Sequence, residues 1–154
     1  MITTESQQMN TMKFIRYGIA GILALPLFAQ AQDPIVILAP DAVPYHVDAQ
    51  APDIQIAVVS GNPQQGFYTL RVKFPGNVKT PPHYHPDTRT VTVISGTYYF
   101  GEGEIFDAAN IQGYGPGTVI IVPAGKPHFS WARDGEVIIQ EAGVGPTGVT
   151  RTVP

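Results

Sequence analysis

Glycine and proline interrupt this chain so often, 16 and 15 times in 154 residues, that it has little room for a helix of useful length. Between the breakers lie short apolar runs rich in Val, Ile, Thr and aromatic residues, which is the pattern of an all-β sandwich or barrel. Strands are expected at 35–38, 55–60, 67–74, 80–83, 89–95, 97–101, 118–122, 126–131, 137–144 and 148–153. Turns fall at Gly61-Asn62-Pro63, Pro75-Gly76-Asn77, Ser95-Gly96, the stretch 113–117, Ala124-Gly125-Lys126-Pro127 and Asp134-Gly135. Asp134-Gly135, between Trp131 and Val137, reads as a hairpin turn. Residues 106–111 suit one or two helical turns at most. The glycines of 113–117 precede a strand and not a helix, so they lack the N-terminal amides that cradle phosphate. No repeat of solenoid or propeller period is present, which leaves one closed β unit.

The first 31 residues read differently. Lys13 and Arg16 precede a mostly apolar run from Tyr17 to Leu27, and Ala29-Gln30-Ala31 has the small-x-small form that signal peptidase cleaves. The expectation is a secretory signal peptide over 1–31, cleaved after Ala31. Translation would start at Met9 or Met12, leaving 1–11 as an upstream extension. The apolar run is too short to span a bilayer comfortably, so no membrane segment is expected after cleavage, and the location expected is the periplasm or the cell exterior.

What remains is one domain's length: an N-terminal extension with edge strands over 32–66, then a barrel over 67–154. Without 1–31 it carries seven basic and eleven acidic residues, a net charge of −4. That balance argues against nucleic acid as a partner. The chain has no cysteine, which excludes thiol chemistry, Cys-ligated zinc and disulfide staples.

Three of the four histidines sit where one small barrel could aim them at a point: His83 and His85 in Pro82-His83-Tyr84-His85-Pro86, and His128 after Pro127. Side chains alternate along a strand, so 83 and 85 share a face and Tyr84 takes the other. The same parity, carried through 89–95, places Arg89, Val91 and Val93 inward and Thr90 and Thr92 outward. In 126–131, His128 and Ser130 share one face, and Phe129 and Trp131 pack on the other. One of Tyr98 and Tyr99 must face inward, where it could donate a proton, and one of Gln140 and Glu141 could face the cavity as acid, base or ligand. His46, ahead of these segments, reads as a surface residue.

At these residues the chain resembles the cupin superfamily of small β-barrels. The family's first motif is Gly, five residues, His-x-His, three or four residues, Glu, six residues, Gly. Here His83, His85 and Gly96 keep that spacing, with one extra residue between Gly76 and His83. The second motif, Gly, five residues, Pro-x-Gly, two residues, His, three residues, Asn, is matched by Gly117, Pro123, Gly125 and His128, with Ala132 in place of Asn. The other departure is Arg89, which stands where the family usually places a glutamate ligand. Arginine has no lone pair to offer a metal.

Carried over residue by residue, the resemblance implies a metal site of His83, His85 and His128. This all-imidazole set suits one divalent transition metal such as iron, zinc, nickel or copper. Arg89 would then bind a substrate carboxylate in a bidentate pair, or else pair with Asp87 or Glu141. Catalytic candidates are Tyr98, Tyr99 and Glu141. The function this implies is an exported, metal-dependent enzyme acting on a small anionic or oxygen-rich molecule, with dioxygenase, isomerase and lyase chemistry all open. Its counterpart is a periplasmic module that binds or senses a metal or small anion without turnover. A third reading is a structural barrel whose exposed aromatics mediate pairing. A homodimer is expected in each case, because cupins commonly pair through edge strands and the Pro-rich extension suits a neighbour's sheet edge. A proton carrier beside the metal site would separate enzyme from binder.

Overall fold

The computed structural model describes residues 33–152, so the expected signal peptide and cleavage site lie outside the described residues. The chain divides into two units, Met1–Val36 and Ile37–Pro154, and the barrel belongs to the second. After a short 3-10 turn at Pro40–Ala42 come β1 (His46–Asp48), β2 (Ala51–Gly61), β3 (Gly66–Phe74), β4 (Lys79–Tyr84), β5 (Arg89–Ser95) and β6 (Tyr98–Glu102). They are followed by β7 (Gln112–Tyr114), β8 (Val119–Val122), β9 (His128–Trp131), β10 (Val137–Gly145) and β11 (Thr150–Arg151). Two antiparallel sheets result, one ordered β1-β2-β3-β10-β5-β8 and the other β11-β4-β9-β6-β7.

Period-2 alternation builds the interior. On β3, Tyr68, Leu70, Val72 and Phe74 are buried. Their register partners on β10 are Gly143, Glu141, Ile139 and Val137, and Arg89, Val91 and Val93 of β5 lie opposite Gly143, Glu141 and Ile139. The inner wall of this sheet therefore grades from an apolar end at Phe74 and Val137 to a polar end at Tyr68, Glu141 and Arg89. Ile54, Tyr98, Val122 and Ala132 complete the apolar core. Arg89, Val91 and Val93 are 4%, 3% and 1% exposed, so the expected parity of β5 holds.

Several expected elements differ. Residues 35–38 form no strand, and Ile35, Val36 and Ile37 are exposed. The expected strand over 148–153 is reduced to β11 among the described residues. Residues 106–111 are not helical. Asp107 accepts from the Ala109 backbone N–H at 2.9 Å and from Asn110 Nδ2 at 2.6 Å, closing a side-chain turn that competes with a helix. That turn lays Phe106 over Phe129, with ring centroids 4.9 Å apart, and so covers the outer face of β9. β1 and β7 are strands that the sequence pattern does not mark; both are three-residue segments, and β7 contains Gly113, which reads as turn chemistry.

Asp134-Gly135 makes a turn but not a hairpin, because β9 and β10 lie in different sheets. The Ser95-Gly96 turn likewise leads from β5 in one sheet to β6 in the other. Gly96 has φ +77°, and a Cβ there would lie 2.3 Å from the Glu136 carbonyl oxygen, so the crossover requires glycine.

Candidate metal centre

Pro81 and Pro82 have no N–H for a ladder, and the pairing of β4 with β9 slips between Thr80 and His83. Beyond the slip His83 stands directly opposite His128. His85 lies just past the end of β4, and its carbonyl accepts the Gly125 N–H at 2.8 Å. That bond ties the turn before His128 to the segment carrying the other two histidines. Gly125 has φ +71°, a conformation open to glycine at little cost.

The three imidazoles converge. Ring centroids are 4.9 Å apart for His83 and His85, 4.4 Å for His83 and His128, and 5.2 Å for His85 and His128. One ligand nitrogen from each ring lies within 4.8 Å of the others. Each Nδ1 meets a backbone carbonyl: Pro81 at 2.8 Å for His83, Gly148 at 2.7 Å for His85 and Lys126 at 3.0 Å for His128. A carbonyl only accepts, so each Nδ1 carries the proton and each Nε2 keeps its lone pair. This is the outer-shell pattern of metal-ligating histidine. Burial, with the Arg89 charge and then His83 beside it, lowers the His85 pKa to about 4; burial followed by the His83 charge does the same for His128, and His83 is lowered chiefly by burial. All three are therefore neutral near pH 7, the form that binds a metal. His46 is exposed on β1 and stands outside this group.

A second cluster adjoins the triad. Arg89 Nη1 donates to Glu141 Oε2 at 2.8 Å and Nη2 to Asp87 Oδ1 at 2.7 Å, and Nη2 also meets Thr147 Oγ1. Thr147 in turn donates to Asp87 Oδ1 at 2.6 Å, and Tyr68 Oη donates to Asp87 Oδ2 at 2.5 Å. Burial works against the Asp87 carboxylate, yet the bonds from Thr147 and Tyr68 and the Arg89 charge outweigh it and hold its pKa below the usual range. Burial, and the proton donated to Asp87, push the Tyr68 hydroxyl up to about 12. Arg89 is thus enclosed by two carboxylates, and its Nε has no partner among the described residues.

His83, His85, Arg89, Glu141 and Thr147 line one cavity of about 990 Å³, whose opposite wall comes from β1, β2 and the inner face of β3. His128 lies behind, 4% exposed, stacked on Phe100 with ring centroids 5.3 Å apart. Of the catalytic candidates, Glu141 reaches this cavity. Tyr98 faces inward but packs in the core beside Phe74 and Phe100, where burial raises its pKa. Tyr99 lies on the outer face, donating to Asp134 at 2.6 Å with the Arg133 guanidinium 3.9 Å from its ring centroid. Gln140 points away from the cavity and accepts from Arg71. Sequence reasoning passed over Tyr68, Thr147 and Arg151. Tyr68 was legible as the polar member of the inward row on β3; the other two depend on how a short final strand pairs.

The chain matches no family model and, by sequence, no curated protein. Its structure is similar to several solved ones. The polyketide cyclase RemF from Streptomyces resistomycificus aligns at TM-score 0.66 and 17% identity, covering 79% of this chain and 87% of that one. The DMSP lyase DddQ from Ruegeria pomeroyi DSS-3 aligns at 0.60 and 17%, covering 74% and 63%. An RmlC-like cupin from Ralstonia eutropha JMP134 aligns at 0.57 and 18%, covering 75% and 72%. This chain has a cupin fold. Its two departures from the cupin motifs differ in consequence. Ala132 is 2% exposed in the core, and its backbone bonds Asn77 and Val78, so the missing Asn leaves the histidines untouched. Arg89 bears on the cavity directly, since it draws two carboxylates beside a histidine triad that has no carboxylate of its own. The donor set fits a divalent transition metal held by three Nε2 atoms.

Proposed function

We propose that this cupin is an exported, metal-dependent enzyme acting on a small oxygen-rich anion. The observation that carries the reading is Glu141. Its carboxylate lines the same cavity as His83 and His85, Oε2 is fixed by Arg89, and among the described residues Oε1 accepts no hydrogen bond. A binding module needs no such group, whereas turnover needs a positioned proton carrier. Held by His83, His85 and His128, an ion of iron, zinc, nickel or copper would supply Lewis acidity, or oxygen activation in the case of iron or copper. Glu141 would accept or return a proton at Oε1, and Arg89 would hold it in place through Oε2. Three neutral ligands leave the charge of a divalent ion uncompensated within the ligand set, which favours an anionic substrate. The cavity is of a size that suits small molecules. The neighbours include a cyclase and a lyase, which supports an enzymatic reading without choosing the reaction. Pairing through sheet edges and release into the periplasm or medium belong to the same proposal, on the sequence grounds given above.

The test begins with elemental analysis of protein purified without a chelating tag, beside His128→Ala. One equivalent of metal in the wild type and a loss of most of it in the variant are expected. Metal-loaded protein is then incubated with small hydroxy-, oxo- and unsaturated carboxylates and followed by proton NMR. Conversion by the wild type, with at least a 100-fold loss in Glu141→Gln at unchanged metal content, supports the enzyme. Binding without conversion across the panel assigns the capture function instead.

A further inference from the structure

Arg89 cannot account for anion recognition by charge alone, because the carboxylates of Asp87 and Glu141 lie 2.7 Å and 2.8 Å from its terminal nitrogens. A guanidinium between two carboxylates contributes no net positive charge to the cavity. Another cation does. β11 pairs with β4 so that Arg151 lies directly opposite His83. Directly opposed residues of an antiparallel pair share a face, with Cβ atoms roughly 4.5–5.5 Å apart. Arg151 and His83 accordingly line the same cavity.

Three further facts single out Arg151. It has no carboxylate within 4.0 Å among the described residues, since the ion pairs there are those of Arg89, Lys126 and Arg133. It is exposed, and Nη2 donates to the Gln50 carbonyl at 3.2 Å, in the turn between β1 and β2. That bond carries the side chain across to the far wall while most of its five N–H donors stay available. The other cation of the cavity wall, Lys79, has its Nζ 4.3 Å from the centroid of the Trp131 ring of β9 and 5.0 Å from that of Phe106, which packs against Trp131 and Phe129. The acidic groups of the wall are Asp48, Asp53 and Glu141; Asp48 accepts the Gln50 N–H at 2.8 Å, and Glu141 is held by Arg89.

We infer that Arg151 is the specificity-determining residue of the cavity, binding a carboxylate group of the ligand at a point away from the histidine triad. The ligand class is then a small molecule with two oxygen-bearing ends, one met by the guanidinium and the other presented to His83, His85 and His128. Arg89 is a positioning residue for Glu141. The inference rests on the proposed function only in taking the triad as the second point of attachment.

Cobalt-loaded protein, titrated with succinate, acetate and azide and followed by its visible spectrum, provides the test. Succinate has two carboxylates, and acetate and azide can reach only one point at a time. The expected result is that wild-type protein binds succinate at least tenfold more tightly than acetate. Arg151→Ala should abolish that advantage, Arg151→Lys should keep part of it, and azide affinity and metal content should not change. Equal binding of succinate and acetate by the wild type, or an advantage that survives Arg151→Ala, would overturn the inference. Calorimetric titration of metal-free protein with succinate separates the two readings. Binding there that is lost in Arg151→Ala upholds the Arg151 site even if the triad retains no metal.

Discussion

Gly143 shows how closely the buried polar cluster is fitted. A Cβ at that position would lie 2.7 Å from Tyr68 Oη and 2.8 Å from Asp87 Oδ2, so Gly143→Ala forces those groups apart. Overpacking of this kind costs about 1–3 kcal/mol, and the expected result is a lowered urea midpoint together with a weakened hold on Glu141. Arg89→Met has a larger effect. It leaves the buried Asp87 and nearby Glu141 carboxylates without their cation, and breaking such a buried pair costs about 3–5 kcal/mol. Urea unfolding at neutral pH, with a smaller loss on lowering the pH far enough to protonate the carboxylates, checks both magnitude and cause. At this scale the sequence was informative wherever parity applied. Residues 83, 85, 89, 91 and 93 point where alternation puts them. Parity could not say whether the inward arginine meets a ligand or two carboxylates, because Glu141 comes from a strand 52 residues away along the chain.

Among the elements, the turn before His128 does most to position the site. Its Gly125 N–H to His85 carbonyl bond connects two segments that the sequence shows only as separate motifs. Among the described residues a Cβ at Gly125 would meet nothing within 4 Å, so Gly125→Ala introduces backbone strain at φ +71° and no clash there. The expected cost is roughly 1 kcal/mol of stability. Metal affinity should fall by up to that amount, about fivefold, because binding must restore the strain that loosening His85 from the turn relieves. Competition with a chromogenic chelator measures it, and an unchanged affinity would show that the bond does not hold the triad. The turns themselves were legible from Gly, Pro, Asn and Asp. Their destinations were not, as Asp134-Gly135 shows: its composition fits a hairpin, yet the next strand joins the opposite sheet. Turn chemistry sets local reversal, while sheet membership is set by which apolar face the following strand must cover. β11 lies at the same limit. Two residues carry no pattern of their own, and their register on β4 decides that Arg151 stands beside His83.

Taken as a whole, the molecule invests part of its folding stability in keeping three imidazoles uncharged in a wall that also holds a guanidinium. Burial is the main cause of their lowered pKa values, with His85 and His128 at about 4. The unfolded chain, whose histidines titrate near the ordinary value of about 6.5, therefore takes up protons first as the pH falls. Stability of the metal-free protein is complete above about pH 6.5 and is lost progressively on descending to about 4, by roughly 1.4 kcal/mol per pH unit for each imidazole neutral in the folded state and charged in the unfolded one. A bound metal ion would steepen this dependence, since protons and metal compete for the same Nε2 lone pairs and the stabilisation by metal disappears with them. Thermal melts of metal-free and metal-loaded protein across pH 4–8 should show two curves that differ most at the alkaline end and converge in acid. In His83→Ala, His85→Ala and His128→Ala the curves should stay together throughout. Two wild-type curves that run parallel down to pH 4 would mean that the metal sits elsewhere, and the three convergent rings would then be a consequence of barrel closure alone.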